Sequence, residues 1–155
     1  MRNLRLLAIG TVLLAIVLVT ALNHHPQTQV SSKCGIYRSD KTVEIKNAKI
    51  NTEVPKTPEE FTKGLGGRQC IGKDQGMLFA FAKPGRYPFW MKDMNFPIDI
   101  VWIGPERTVI GLDINLKPSS YPDKYVSSKP AQYVLELQAN RSQSLHIDIG
   151  TPVKF

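Results

Sequence analysis

From Val43 onward, apolar side chains return at every second position in short runs broken by turn residues, the period of a half-buried strand. Val43 and Ile45 alternate with Thr42, Glu44 and Lys46, and after Asn47-Ala48 the pattern resumes at Ile50, Thr52 and Val54. Met77, Phe79 and Phe81 oppose Leu78 and Ala80; Pro84-Gly85 then signals a turn. Pro88 to Lys92 reads as a further strand, and Ile98 to Ile103 is apolar except for Asp99, as for a strand covered on both faces. Thr108, Ile110, Leu112, Ile114 and Leu116 alternate with Val109, Gly111, Asp113 and Asn115. Ala131, Tyr133, Leu135 and Leu137 alternate with Gln132, Val134, Glu136 and Gln138, and a last short strand ends at Phe155. Many short strands, no repeat and no βαβ alternation predict a mainly β domain, a single compact β-sandwich or barrel.

Helical signals are brief. Thr57 can cap the free amides of a helix that starts at Pro58, with Glu60 completing a capping box. Phe61 and Leu65 share its face, and Gly64, Gly66 and Gly67 end it after about two turns. Arg141 to His146 reads as a second helical turn, and Lys117 to Lys129 as a polar loop.

Ahead of this domain stands an uncharged apolar run, Leu6 to Leu22, preceded by Arg2 and Arg5. Basic residues hold the near end in the cytoplasm, so the remainder is expected on the far side of the cytoplasmic membrane. The run is long for a signal-peptide core and just long enough for a spanning helix. Residues 1–22 are therefore read as a signal anchor, with a secretory signal cleaved near Val19-Thr20-Ala21 as the alternative. Residues 23–40 read as a polar linker and 41–155 as the folded domain, long enough to bury its own core.

The formal charge of +7 is compatible with a solvated surface near anionic headgroups. No Arg/Lys cluster is dense enough for a nucleic-acid footprint, and an outward-facing domain is not expected to meet one. A monomer is expected. Cys34 and Cys70 form an even pair that can close a disulfide in an oxidising compartment, worth about 3–4 kcal/mol by chain entropy; two free thiols are the other reading. His24, His25 and His146 lack metal-ligand spacing, so neither metal nor cofactor is expected.

The unusual segment is Pro88-Phe89-Trp90-Met91-Lys92-Asp93-Met94. In a strand, Trp90 and Lys92 share one face and Phe89 and Met91 the other, giving a flat apolar surface beside a cation. The plainer reading makes Trp90, Met91 and Met94 core. Asp99 interrupts an apolar strand and needs a partner, for which Arg68, Arg86 and Lys92 are the candidates. Asp93 with Asp99 would be a glycosidase-like acid/base pair, but nothing in the sequence fixes their separation.

Thr57-Pro58-Glu59-Glu60, Lys63-Gly64-Leu65 with Arg68, Gly76-Met77-Leu78-Phe79-Ala80-Phe81, Phe89-Trp90-Met91-Lys92, Pro97-Ile98-Asp99-Ile100, Val134-Leu135-Glu136-Leu137 and Gly150 together resemble the DUF192 domain family over residues 42–155. The resemblance implies a compact β-sandwich or jelly-roll-like barrel with one or two short helices, and no established reaction, cofactor or ligand. The chain departs from the family pattern at Gly66, where Met is usual, and in the 117–129 loop, which lacks the cysteines many members carry there.

Two functions follow as expectations. One is a membrane-tethered binding or interaction module for a glycan, cell-wall fragment or protein, with Arg68, Trp90, Lys92, Asp93, Asp99 and Tyr125 along its groove. The other is an enzyme of unknown reaction using a pocket of Arg68, Lys92, Asp93 and Asp99; convergence of these four in one cleft separates the two.

Overall fold

The computed structural model describes Cys34 and residues 36–155. The apolar segment at 1–22 and most of the 23–40 linker lie outside the described residues. Among the described residues, no helix is long and apolar enough to cross a membrane.

Seven strands form one sheet: β1 (Lys41–Ile45), β2 (Ala48–Glu53), β3 (Gln75–Gly85), β4 (Ile98–Ile103), β5 (Val109–Leu116), β6 (Ala131–Gln138) and β7 (Val153–Lys154). Helix α1 (Pro58–Lys63) follows β2, and α2 (Arg141–Ser144) follows β6. The spatial order is β5-β4-β6-β3-β2-β1-β7, antiparallel throughout except for the β2–β3 pair. The mainly β expectation holds, but the sheet is neither a two-sheet sandwich nor a closed barrel. At its edges, beside β5 and β7, Thr108 and Pro152 form an isolated bridge, with Val109 N–H donating to the Thr151 carbonyl and Val153 N–H to the Arg107 carbonyl, both at 2.9 Å. The strand β7 is only two residues long, so no continuous ladder closes the gap.

Both faces of this sheet are apolar. Val43, Ile45, Ile50, Leu78, Val101 and Leu135 pack on one side. Met77, Phe79, Ile100, Trp102 and Val134 pack on the other, beneath Leu65, Ile71 and Met91 from the connecting segments. The alternation read in β1, β2 and β3 is the observed one, and all six residues of β4 are buried. Two readings are corrected. The pairing of β5 slips twice against β4, between Ile98 and Ile100 and between Trp102 and Ile103. These irregularities put Leu112 on the first face but Ile110 and Leu116 on the second, where unbroken alternation would put all three together, and leave Ile114 37% exposed. Pro88 to Lys92 is not a strand. Only Phe89 pairs, in an isolated bridge to Tyr125, because Asp93 turns the chain at φ 57° and Met94 N–H bonds back to the Met91 carbonyl.

The end of the expected linker is docked on the domain. Arg38 N–H donates to Glu53 Oε1 at 2.8 Å, and Asp40 N–H to the Thr52 carbonyl at 2.9 Å. The Tyr37 hydroxyl accepts from the Gly76 amide at 2.8 Å and the Glu53 amide at 3.2 Å, spanning the β2–β3 pair. A disulfide joins Cys34 to Cys70, fixing this segment covalently.

Gly76 lies where β2, β3 and β6 crowd together. A Cβ there would sit 2.6 Å from the Glu136 carbonyl oxygen and 3.1 Å from a Leu137 methyl. Backbone cannot swing aside as a side-chain tip can, so Gly76→Ala is expected to cost about 1–3 kcal/mol. A urea unfolding midpoint equal to that of the unsubstituted protein would refute this crowding.

Candidate functional site

The site is assembled where α1 and its glycine-rich exit lie over the second apolar face. Thr57 starts the helix, its Oγ1 accepting from Glu60 N–H at 3.3 Å, with Pro58 in the first turn. The Glu60 carboxylate closes no capping box with Thr57; it accepts instead from Lys56 N–H at 2.7 Å and from the Arg38 guanidinium. The helix stops at Gly64, whose φ of 52° favours glycine, and the chain turns inward to bury Leu65 at 1% exposure. At Gly66 a Cβ would stand 2.9 Å from the Lys63 carbonyl oxygen and 3.2 Å from that of Lys92, so this close approach of two backbones suits glycine.

Glu136 projects from β6 into the space beneath this turn. Its neighbours across the ladder are Met77 on β3 and Ile100 on β4, both in the apolar cluster. It is only 5% exposed, and its Oε2 has no hydrogen-bond partner. Burial pushes its carboxyl up to about 8, against the opposing pull of the Leu65 amide. The carboxyl borders a cavity of about 190 Å³ lined by Phe61, Phe79, Phe81, Tyr87, Phe89 and Trp90. The rings are mutually packed: Phe79 lies edge-on to Phe61 and Phe89 at 5.9 and 4.9 Å, and Tyr87 stacks on Phe81 at 3.6 Å. Lys63 and Lys92, both exposed, line the same cavity at its solvent side.

A larger polar cavity of about 530 Å³ adjoins it on the other side of Lys63 and Gly64. Four of its charged groups are already paired, Arg68 with Glu53 and Arg38 with Glu60, and Lys63 is shared with the smaller cavity. Paired groups have less left to offer a ligand than a buried carboxyl with a free oxygen. The smaller, aromatic cavity is therefore the better candidate.

The residues singled out from the sequence divide among five places. Trp90 and Lys92 meet at the aromatic cavity. Asp93 sits beside Lys92 in a shallow groove against α1, its carbonyl accepting from Gly67 N–H at 2.7 Å. Arg68 belongs to the polar cavity, over the Tyr37 ring at 5.7 Å. Tyr125 does not line the aromatic cavity but exchanges two backbone hydrogen bonds with Phe89, at 2.9 and 2.8 Å. Asp99 faces the other side of the sheet. Its partners are not Arg68, Arg86 or Lys92 but the amides of Asn115, Asn140 and Ser142 at 2.8–2.9 Å, together with the Ser142 hydroxyl. Arg68, Lys92, Asp93 and Asp99 share no cleft.

Glu136 is the functional candidate that sequence reasoning passed over, because alternation grouped it with the polar Gln132 and Gln138. The available signal was Val134 on that same face, which marks it as covered there.

The DUF192 family model, described as an uncharacterised group, matches residues 41–155. No protein of curated function matches the chain. The fold is similar to the crystal structure of a protein of unknown function from Novosphingobium aromaticivorans. That likeness has a TM-score of 0.70 and 27% identity, over 74% of this chain and 84% of the other. A Sinorhizobium meliloti protein described as a candidate transcription regulator is also similar, with a TM-score of 0.62 and 29% identity over 69% and 81% of the two chains. With the family's motifs falling on α1, β3, β4 and β6 and its model spanning the whole sheet, the chain belongs to the DUF192 family.

Proposed function

We propose that the chain is an extracytoplasmic binding domain tethered to the cytoplasmic membrane through residues 6–22, and that its ligand seats in the aromatic cavity against Glu136. The observation that carries this reading is the unpartnered Glu136 Oε2, buried at an aromatic wall. A buried polar atom without a partner costs about 1–3 kcal/mol, and nothing in the packing around it recovers that cost. Such a group in a concave, ring-lined site is the signature of a ligand position. The cavity of about 190 Å³ is scaled to a small solute or head group, not to a glycan chain or a folded partner. The Cys34–Cys70 bond supports outward placement, since disulfides persist in oxidising compartments. Arg68, Lys92, Asp93 and Asp99 line no common cleft, and that separation favours binding over the enzyme reading.

The test uses the full chain in a non-ionic polyoxyethylene detergent. Small solutes, glycan fragments and peptides are screened by thermal shift, with Thr62→Trp as the blocked variant. Thr62 is exposed on α1 and lines the cavity, so a large ring there fills the opening without disturbing the core. A solute that raises the melting temperature of the unsubstituted protein and not that of the variant is the expected result. A flat screen, or solutes that stabilise both equally, would overturn the cavity as the ligand site. Protection of the domain from protease added to right-side-out vesicles would overturn the tether.

A further inference from the structure

The chemistry of the aromatic cavity narrows what it binds, and this step rests on the binding reading above. We infer that it takes a compact zwitterion, with a methylated ammonium group among the rings against Glu136 and a phosphate or carboxylate group held by Lys63 and Lys92. Three observations support the assignment. First, the walls include six aromatic rings and one carboxyl, with Leu65, Pro88 and Met94 filling between them. Ring faces and a carboxylate both favour a cation. A primary ammonium needs three hydrogen-bond acceptors, and the rings that make up most of the wall supply none of them, whereas a trimethylated ammonium needs none. Second, among the described residues the one acidic side chain lining the cavity, Glu136, lies deep and the two lysines lie at the solvent side. Once Glu136 ionises against an arriving cation, charge changes sign along the cavity, negative within and positive at the mouth. A simple cation would have to pass the lysines without compensation; a zwitterion satisfies both ends at once. Third, the volume of about 190 Å³ exceeds the ~150 Å³ that accommodates one benzene ring, so a trimethylated head group fits and a second ring does not.

The Glu136 carboxyl gives up a proton as the cation arrives. The other titratable groups facing the cavity are Lys63 on α1 and Tyr87 and Lys92 on the loop after β3. At neutral pH the heat of binding therefore depends on the ionisation enthalpy of the buffer.

The experiment titrates the full chain, in polyoxyethylene detergent, with four probes: phosphocholine, glycine betaine, choline, and the uncharged isostere 3,3-dimethylbutan-1-ol. Both zwitterions are expected to bind at least 10-fold more tightly than the uncharged isostere. Glu136→Gln is expected to lose at least 10-fold for the zwitterions while leaving the isostere unchanged. Replacing Lys63 and Lys92 together by Gln is expected to lose at least 5-fold for phosphocholine and nothing for choline. Dihexanoyl phosphatidylcholine, compared with free phosphocholine, tells a lipid head group from a free solute. An isostere as tight as choline, or a Glu136→Gln protein that binds zwitterions normally, would overturn the inference. If that isostere binding is abolished by Thr62→Trp, the cavity is still a binding site but not one for cations. If none of the four probes binds, the zwitterion is overturned, and the broader screen decides separately whether the cavity binds anything.

Discussion

Replacing Glu136 by Gln is expected to make the protein more stable, and more so as pH rises from about 5 to about 8. The sign follows from the raised carboxyl. In the unfolded chain this group ionises near its ordinary value of 4.5, whereas in the folded protein burial holds it protonated to about 8. Below 4.5 both states carry the proton, and Glu and Gln are nearly equivalent. Between the two values the unfolded state gains by ionising and the folded state does not, so native stability falls steadily with pH. Above about 8 the folded state ionises as well, and the loss levels off. Glutamine has nearly the same shape, keeps an oxygen for the Leu65 amide, and never ionises. The expected gain at pH 8 is on the order of a few kcal/mol, with little gain at pH 4. Urea unfolding of both proteins at the two pH values measures it. Equal gains at pH 4 and pH 8 would mean that ionisation is not the cause. A variant that is more stable yet binds its ligand more weakly is the pattern expected of a group kept for binding at the expense of the fold.

The sequence announces most of this fold and little of this site, for physical reasons that differ between strands. In β1, β2 and the first half of β3 each side chain's face-mate is two positions away, so burial is written locally, and Val43, Ile45, Ile50, Met77, Leu78 and Phe79 are all buried there. In β5 the same reading fails because the pairing slips twice against β4, and each slip reverses which side faces inward. Nothing local to residues 109–116 dictates those slips. Openness of the sheet is equally non-local, since it depends on where Pro152 arrives relative to Thr108. Trp90 and Lys92 drew attention through their chemistry and do reach the cavity. They do so from a loop and not a strand, so the facing assigned to them rested on the wrong geometry. Glu136 is the instructive miss. A charged residue at a polar-phase position reads as solvated until α1 and Leu65 are seen to cover it, and that cover comes from more than 70 positions away. Asp99 was the reverse case, a conspicuous charge in an apolar strand that proves to serve the backbone.

Asp99→Ala is expected to be among the most destabilising single changes in the domain, while leaving the aromatic cavity's chemistry untouched. The carboxylate is fully buried, and both oxygens are used. Oδ1 accepts from Asn115 N–H at 2.8 Å and Asn140 N–H at 2.9 Å; Oδ2 accepts from Ser142 N–H at 2.9 Å and from the Ser142 hydroxyl. These donors come from three places in the chain. Asn115 sits at φ 55° in the irregular end of β5, Asn140 at φ 64° just before α2, and Ser142 within it. Asp99 thus holds the end of β5 and the start of α2 against the middle strands. Removing it strands three amides, each costing about 1–3 kcal/mol, so a loss of about 4 kcal/mol or more is expected. That is comparable to the whole stability of many domains of this size. Ser142→Ala provides the graded comparison: it deletes one donor and leaves every amide served, for an expected cost of about 1 kcal/mol. Urea midpoints for the two variants decide between a backbone-fixing role and a catalytic one. If Asp99→Ala unfolds at the same denaturant concentration as Ser142→Ala, the carboxylate does not organise these turns. If it does organise them, ligand affinity measured while the variant is still folded should match that of the unsubstituted protein, because Asp99 and Glu136 leave the sheet on opposite sides.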